Sequence, residues 1–153
     1  MKVEIISESV IKTKLIASVI AEHLFAGAVI TLNGDLGAGK TTFTQGLGAC
    51  LGINSKINSP TFNILKCYFE GKVPLYHIDA YRLEDNVNTN IGLEEVIQGD
   101  GVAVIEWSKF IPDMVYEPLD IVIEIMDNDV RKFVITSEYK KYNAIFEKLK
   151  ELN

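Results

Sequence analysis

Apolar residues recur along this chain with two different periods, and the order in which the periods alternate predicts an α/β succession of elements. A short strand is predicted over residues 3–6. Ser7 or Ser9 then caps a helix that carries Ile11, Leu15, Ile16, Val19, Ile20 and Leu24 at helical spacing and ends at Gly27. The uninterrupted run Ala28-Val29-Ile30-Thr31-Leu32 reads as a buried strand, and residues 42–51 as the next helix. Residues 52–62 form a polar loop containing the turn formers Asn58-Ser59-Pro60-Thr61. Strands over 63–69 and 73–78 flank Glu70-Gly71-Lys72 and suggest a hairpin; residues 84–90, acidic and Asn-rich, read as a surface loop. A short helix over 93–97 leads through Gly99-Asp100-Gly101 to an apolar strand over 102–105. A second hairpin, 120–126 with 131–137, turns at Asp127-Asn128-Asp129. The tail from Tyr139 repeats Tyr142, Ile145, Phe146, Leu149 and Leu152 with a helical period. No internal repeat, linker or low-complexity segment interrupts the succession.

Composition bounds what these elements can build. At 153 residues and 48% apolar content, one domain with one sizeable core is expected, without room for a second catalytic module. No apolar run approaches the roughly 18 residues of a membrane span, and the first residues lack the apolar centre of a signal peptide, so a cytoplasmic location is expected. Cys50 and Cys67 stand outside any metal-ligand spacing with His23 and His77 and are expected to be free thiols. The net charge of −6 argues against independent DNA or RNA binding, which draws on a basic surface, so that any nucleic-acid role is indirect. Arg82 and Arg131 are the only arginines. That scarcity matters because arginines are the usual stabilisers of charge on a transferring phosphoryl group.

The segment Gly34-Asp35-Leu36-Gly37-Ala38-Gly39-Lys40-Thr41 fits G-x-x-x-x-G-K-[ST] and lies between a predicted strand and a predicted helix. Small residues at this spacing let successive backbone N–H groups turn inward around phosphate oxygens, and the helix that follows points its positive end at them. Lys40 then reaches the β- and γ-phosphates and the Thr41 hydroxyl completes the shell of a magnesium ion, with Thr42 next in the helix. ATP and Mg2+ are the expected ligands.

Hydrolysis also requires a carboxylate near the metal and a group that positions water. Val104-Ile105-Glu106 and Tyr76-His77-Ile78-Asp79 each end an apolar strand in an acid. In a parallel sheet, strand ends on one side converge on the ligand crevice, which brings both acids toward the Thr41 metal. Glu106 is favoured for the metal shell and Asp79 for water or water-mediated metal contacts, although the two segments resemble a Walker B strand about equally and the roles are exchangeable. In an extended segment His77, Asp79 and Tyr81 share one face, where the ring residues orient Asp79, meet a partner or simply pack. Thr61 sits in a Pro-anchored loop that follows the P-loop, where a hydroxyl either senses γ-phosphate or metal or forms a plain turn.

The motif just described, together with Ser59-Pro60-Thr61-Phe62, His77-Ile78-Asp79-Ala80-Tyr81-Arg82 and Ile105-Glu106-Trp107, occurs in the order and approximate spacing of the bacterial TsaE family, also called YjeE, and the resemblance spans nearly the whole chain. The resemblance implies a P-loop NTPase-like three-layer sandwich with a central, mostly parallel sheet, added antiparallel strands and flanking helices. It also implies a P-loop ATPase that supports the threonylcarbamoyladenosine modification of tRNA together with the partner proteins TsaB and TsaD. Lys40 and Thr41 then hold phosphate and magnesium, Glu106 is a metal-shell acid, and Thr61 and Asp79 lie in two switch-like segments. The region of Ser9, Val10 and Thr13 lines the base, with Arg131 near the nucleotide. Arg82 either stabilises phosphoryl charge or forms an ion pair with Asp79 or a partner, and Trp107 reads as a core or interface side chain.

Two other classes stay open at this level: a kinase acting on a small metabolite, and a nucleotide-gated binding module with negligible turnover. The scarcity of arginine weighs against the kinase, whose phosphorylated substrate needs several cationic clamps. With no evident catalytic glutamine or trans-acting arginine, hydrolysis by the isolated chain is expected to be slow.

Overall fold

The computed structural model describes residues 1–60, 63–83 and 92–153. Its strands are β1 (Lys2–Ser7), β2 (Val29–Gly34), β3 (Leu65–Tyr68), β4 (Leu75–Asp79), β5 (Val102–Glu106), β6 (Leu119–Ile125) and β7 (Arg131–Thr136). The helices are α1 (Val10–Ala21), α2 (Lys40–Cys50), α3 (Leu93–Ile97) and α4 (Asn143–Lys150). The strands form one seven-stranded sheet in the order β1-β7-β6-β2-β5-β4-β3. β2 pairs in parallel with β5 and β6, and β4 in parallel with β5, while β3 and β7 run against their neighbours. β1 closes the far edge antiparallel to β7 and therefore points the same way as the central four.

The apolar run that precedes the Gly-rich loop is thus the middle of the sheet. Its two faces explain why it reads as continuous rather than alternating. Ile30 and Leu32 face a core shared with Ile16, Ile20, Phe43, Leu47 and Phe146, whereas Val29 faces a second core with Ile78, Ile105, Leu93 and Ile97. Helices α1, α2 and α4 cover the first face, and α3 with short 3-10 turns covers the second, which gives the three layers.

Ser9 begins α1 with an extended backbone, and its hydroxyl accepts the Lys12 N–H at 3.0 Å. Helical spacing places Ile11 and Leu15 toward the core, yet they are 82% and 44% exposed. The buried stripe is Thr13, Ile16, Ala17, Ile20 and Ala21 instead. The reason lies in α2: a Cβ at Gly46 would stand 3.0 Å from Lys14 Cα and 3.1 Å from Ala17 Cβ, so the helices touch along small residues and turn the larger ones outward. α1 also ends at Ala21, short of Leu24, and the tail enters α4 through a 3-10 turn over Lys140–Tyr142.

Cys50 and Cys67 are free and exposed, as expected. Among the described residues no helix is long and apolar enough to cross a membrane. The predicted loop over 84–90 lies outside the described residues.

Candidate functional site

The loop that joins β2 to α2 is built by backbone conformation. Gly37 and Gly39 hold φ of +82° and +107°, in the left-handed region that side chains avoid; a Cβ at either would meet no atom within 4 Å, so conformation and not space selects glycine. The Ala38 N–H donates to Asp35 O at 3.0 Å, which closes the turn, and the Ala38 methyl is buried beneath it. Gly39 stands at the N-cap of α2 and supplies no side-chain cap. The first-turn N–H groups that a helix leaves without internal acceptors therefore face the loop, together with the positive end of the helix dipole.

Lys40 opens α2. Its ammonium donates to Gly34 O at 2.8 Å and lies 3.6 Å from Glu106 Oε1. Glu106 is the last residue of β5, and β4 places Asp79 directly beside it in register. Both acids are nearly buried, at 5% and 8% exposure. Leu32, Val104 and Glu106 share one face of the sheet by strand parity, and His77 and Asp79 share the same face of β4. That face lies under α2. The second Glu106 oxygen accepts from or pairs with His77 Nε2 at 2.7 Å, while Asp79 Oδ1 accepts the Tyr81 N–H at 3.0 Å.

Lys40, Thr41, Thr42, Asp79 and Glu106 line one cavity of about 580 Å3, with Ser59, Tyr81 and Trp107 at its wall. Trp107 follows Glu106 with φ of +59°, a left-handed backbone rare for an aromatic residue, and this turns the chain sharply out of β5. Its ring stacks on Phe110 and meets Tyr81 edge-on, and Lys40 Nζ lies 5.4 Å from the ring centroid. Leu36, at the tip of the loop, is 98% exposed.

A second cavity, of about 340 Å3, also borders the loop. Ser9, Val10, Thr13, Gly37, Ala38, Gly39, Thr42 and Arg131 line it. Arg131 begins β7 and donates from Nε to Ala38 O at 3.1 Å and from Nη2 to Gly37 O at 3.2 Å. Its Nη1 donates to the carbonyls of Asp127 and Asn128 in the β6–β7 turn. One guanidinium thus ties the Gly-rich loop to that turn.

Of the residues singled out from sequence, Gly34, Asp35, Gly37, Ala38, Gly39, Lys40, Thr41 and Thr42 form the loop and the helix start, and Asp79 and Glu106 join them in the larger cavity. Ser9 and Arg131 lie on the smaller cavity, where Ser9 also caps its helix. The Asp35 side chain is exposed. Thr61 lies outside the described residues. Two expectations change. Tyr81 does not continue the face of His77 and Asp79: the strand stops at Asp79, whose carboxylate captures the Tyr81 N–H, and Tyr81 enters a 3-10 turn, 53% exposed. His77 bonds Glu106 and not Asp79. Strand parity could place His77 on the right face, but its partner depended on β4 lying next to β5, which no local signal carries. Arg131 as a clamp on loop carbonyls was likewise beyond sequence, since it joins segments 93 residues apart.

Among the described residues no group of three or more His, Cys, Asp and Glu side chains gathers in a way that could hold a metal unaided. A cation here would need ligands from phosphate oxygens and water in addition to Thr41 and an acid, which is how Mg2+ is usually held in nucleotide sites.

Residues 7–139 match the family described as threonylcarbamoyl adenosine biosynthesis protein TsaE. A tRNA threonylcarbamoyladenosine biosynthesis protein TsaE of Bacillus subtilis is 45% identical over 139 residues, covering 90% of this chain and 87% of the relative. A protein of the same description from Rickettsia conorii is 37% identical over 133 residues, covering 85% and 75%. The crystal structure of YdiB from Bacillus subtilis superposes with a TM-score of 0.85 at 36% identity, covering 99% of this chain and 95% of that one. Together with the sheet order, this bears out the α/β sandwich of P-loop NTPase type.

Proposed function

Because the chain belongs to the TsaE family of tRNA threonylcarbamoyladenosine biosynthesis proteins, we propose that it is a Mg2+-dependent P-loop ATPase, slow alone, that supports this tRNA modification in the cytoplasm with the partner proteins TsaB and TsaD. The observation that carries the reading is the meeting of Lys40, Thr41, Asp79 and Glu106 around one cavity at the carboxyl ends of parallel strands.

Each residue has a distinct task in this reading. The N–H groups of the Gly-rich loop and of the first turn of α2 cradle the phosphates, and Lys40 leaves Glu106 to meet the β- and γ-phosphates. Thr41 and Glu106 hold Mg2+, and Asp79 orients water or a water-bridged metal contact. When bound, Mg2+ neutralises charge that develops on the phosphate oxygens. Ser9 and Arg131 bound the base-side cavity, and Thr61 acts in a segment that responds to the γ-phosphate.

The expectation of slow turnover by the isolated chain is supported by Arg131. Arg131 donates through Nε, Nη1 and Nη2 to backbone carbonyls, which leaves its charge engaged with the loop's scaffold and not with a transferring group. Partner proteins then supply or complete the missing electrostatics, and tRNA is reached through the complex. The exposed Leu36 and Tyr81 at the cavity rim suit coverage by a partner.

The test is ATP turnover by the chain alone, then with TsaB, TsaD and substrate tRNA, with Lys40→Ala as the blank. Turnover and tRNA modification that depend on the full mixture support the reading. Stoichiometric transfer to a small-molecule acceptor, indifferent to the partners, replaces it with a kinase; nucleotide-dependent partner binding without turnover replaces it with a gated binding module.

A further inference from the structure

The ring of His77 is fully buried in β4, with Nε2 2.7 Å from Glu106 Oε2, and its Nδ1 is the buried side-chain polar atom that finds no partner among the described residues. These two facts favour one tautomer over the other. The tautomer protonated at Nδ1 would leave a buried N–H donor without a partner among the described residues, whereas the tautomer protonated at Nε2 leaves only a lone pair unmatched and gives the Glu106 carboxylate a donor.

A packing role does not account for this arrangement. β4 is buried along its whole length, and an apolar side chain at position 77 would fill the space without burying an unmatched nitrogen. The polar ring is costly unless its bond to Glu106 has a use. That bond holds Oε2 at the back of the site, so that Oε1 is the oxygen turned to Lys40 in the cavity lined by Thr41 and Asp79.

We propose that His77 is a positioning residue which, by donating from Nε2 to Glu106 Oε2, holds the other carboxylate oxygen in place for Mg2+. The proposal rests on the reading of Glu106 as a metal-shell acid. It reaches this through a residue that touches neither nucleotide nor metal, in the manner of the hydrogen-bonded groups that orient metal-binding carboxylates elsewhere.

Two measurements test it. The imidazole 15N spectrum of the nucleotide-free protein, assigned by comparison with His77→Gln because His23 is the only other histidine, should show His77 protonated at Nε2 and bare at Nδ1. A ring protonated at Nδ1 overturns the proposal without reference to activity. Calorimetric ADP binding is then followed in EDTA and across a Mg2+ titration. His77→Leu should raise the Mg2+ concentration for half-effect by about 10- to 100-fold, read against the variant's own ADP affinity in EDTA. His77→Gln, which restores an N–H donor near the same place, should recover most of the Mg2+ response. A Mg2+ effect in the parent that survives intact in His77→Leu overturns the positioning role alone. No Mg2+ effect in the parent defeats the metal reading of Glu106 itself, and the positioning role falls with it.

Discussion

Lys40 Nζ lies 3.6 Å from Glu106 Oε1 while it donates to Gly34 O at 2.8 Å. The lysine is thereby held across the mouth of its own loop, with its charge opposed by a nearly buried carboxylate. In the proposed reading, phosphate would draw the ammonium away from that carboxylate and a metal ion at Glu106 would replace the lost cation, so that entry of nucleotide and of metal would be coupled through this one acid.

Glu106→Gln keeps the side chain's shape and removes its charge. Turnover should fall by more than the roughly 10- to 100-fold that loss of an outer-shell partner costs, with ADP affinity in EDTA equal to or tighter than the parent's because Lys40 is released. Steady-state turnover and calorimetry on one preparation check both halves. Parent-like turnover removes Glu106 from the site.

Arg131→Ala leaves the Gly37 and Ala38 carbonyls without the donor that ties them to the β6–β7 turn. Hydrogen bonds to a charged group are worth about 1.5–3 kcal/mol each, part of which here orders the loop. ADP affinity should drop about tenfold, equally with and without Mg2+, since the defect lies in the loop and not at the metal; one tenfold step corresponds to about 1.4 kcal/mol. Arg131→Lys should recover little, because an ammonium cannot span carbonyls on both sides as the guanidinium fork does. Unchanged affinity in both variants would show that the loop holds its shape alone.

The elements were legible in the sequence and their neighbours were not. Runs such as 28–32 and 102–105 announce themselves by unbroken apolar character, and both hairpins by turn residues between strands, because those signals are local. The Gly-rich loop is equally local, since its spacing encodes backbone conformation. What escaped is set by sheet order. His77 meets Glu106 because β4 lies beside β5, and Arg131 meets Ala38 because the last hairpin was added next to β2. Ile11 shares the helical spacing of Ile16 and Ile20 but is exposed, because the close contact at Gly46 decides which stripe of α1 faces inward.

Gly46→Val should test that contact. A branched side chain would be driven against Lys14 Cα and Ala17 Cβ, backbone and short groups that have little freedom to move. Overpacking of this kind costs about 1–3 kcal/mol, to be read as a lowered denaturant midpoint. A midpoint equal to the parent's would show that α1 and α2 separate without penalty.

Tyr142 is buried, and its hydroxyl accepts the Val29 N–H at 3.1 Å at the start of the central strand. Burial, with the charges of Glu117 and Asp120, pushes its phenol above the ordinary value near 10, against the opposing effect of the Val29 bond. A raised folded value means that the stabilisation is complete below about pH 10 and is lost as pH climbs through the folded value. Tyr142→Phe should cost about 1–3 kcal/mol at neutral pH by leaving that N–H unpaired, and should flatten the alkaline fall in stability. Denaturant melts between neutral and strongly alkaline pH read both effects.

The central strand has a consequence for the order in which the protein can be made. β2 carries the Gly-rich loop, yet its two neighbours are residues 102–106 and 119–125, which leave the ribosome long after it. A nascent chain that ends before Leu119 exposes one whole edge of β2 and lacks the hairpin that Arg131 uses to brace the loop. The loop therefore reaches its braced form only after Arg131 has been made, and the unpaired edge of β2 must be kept from other chains until then.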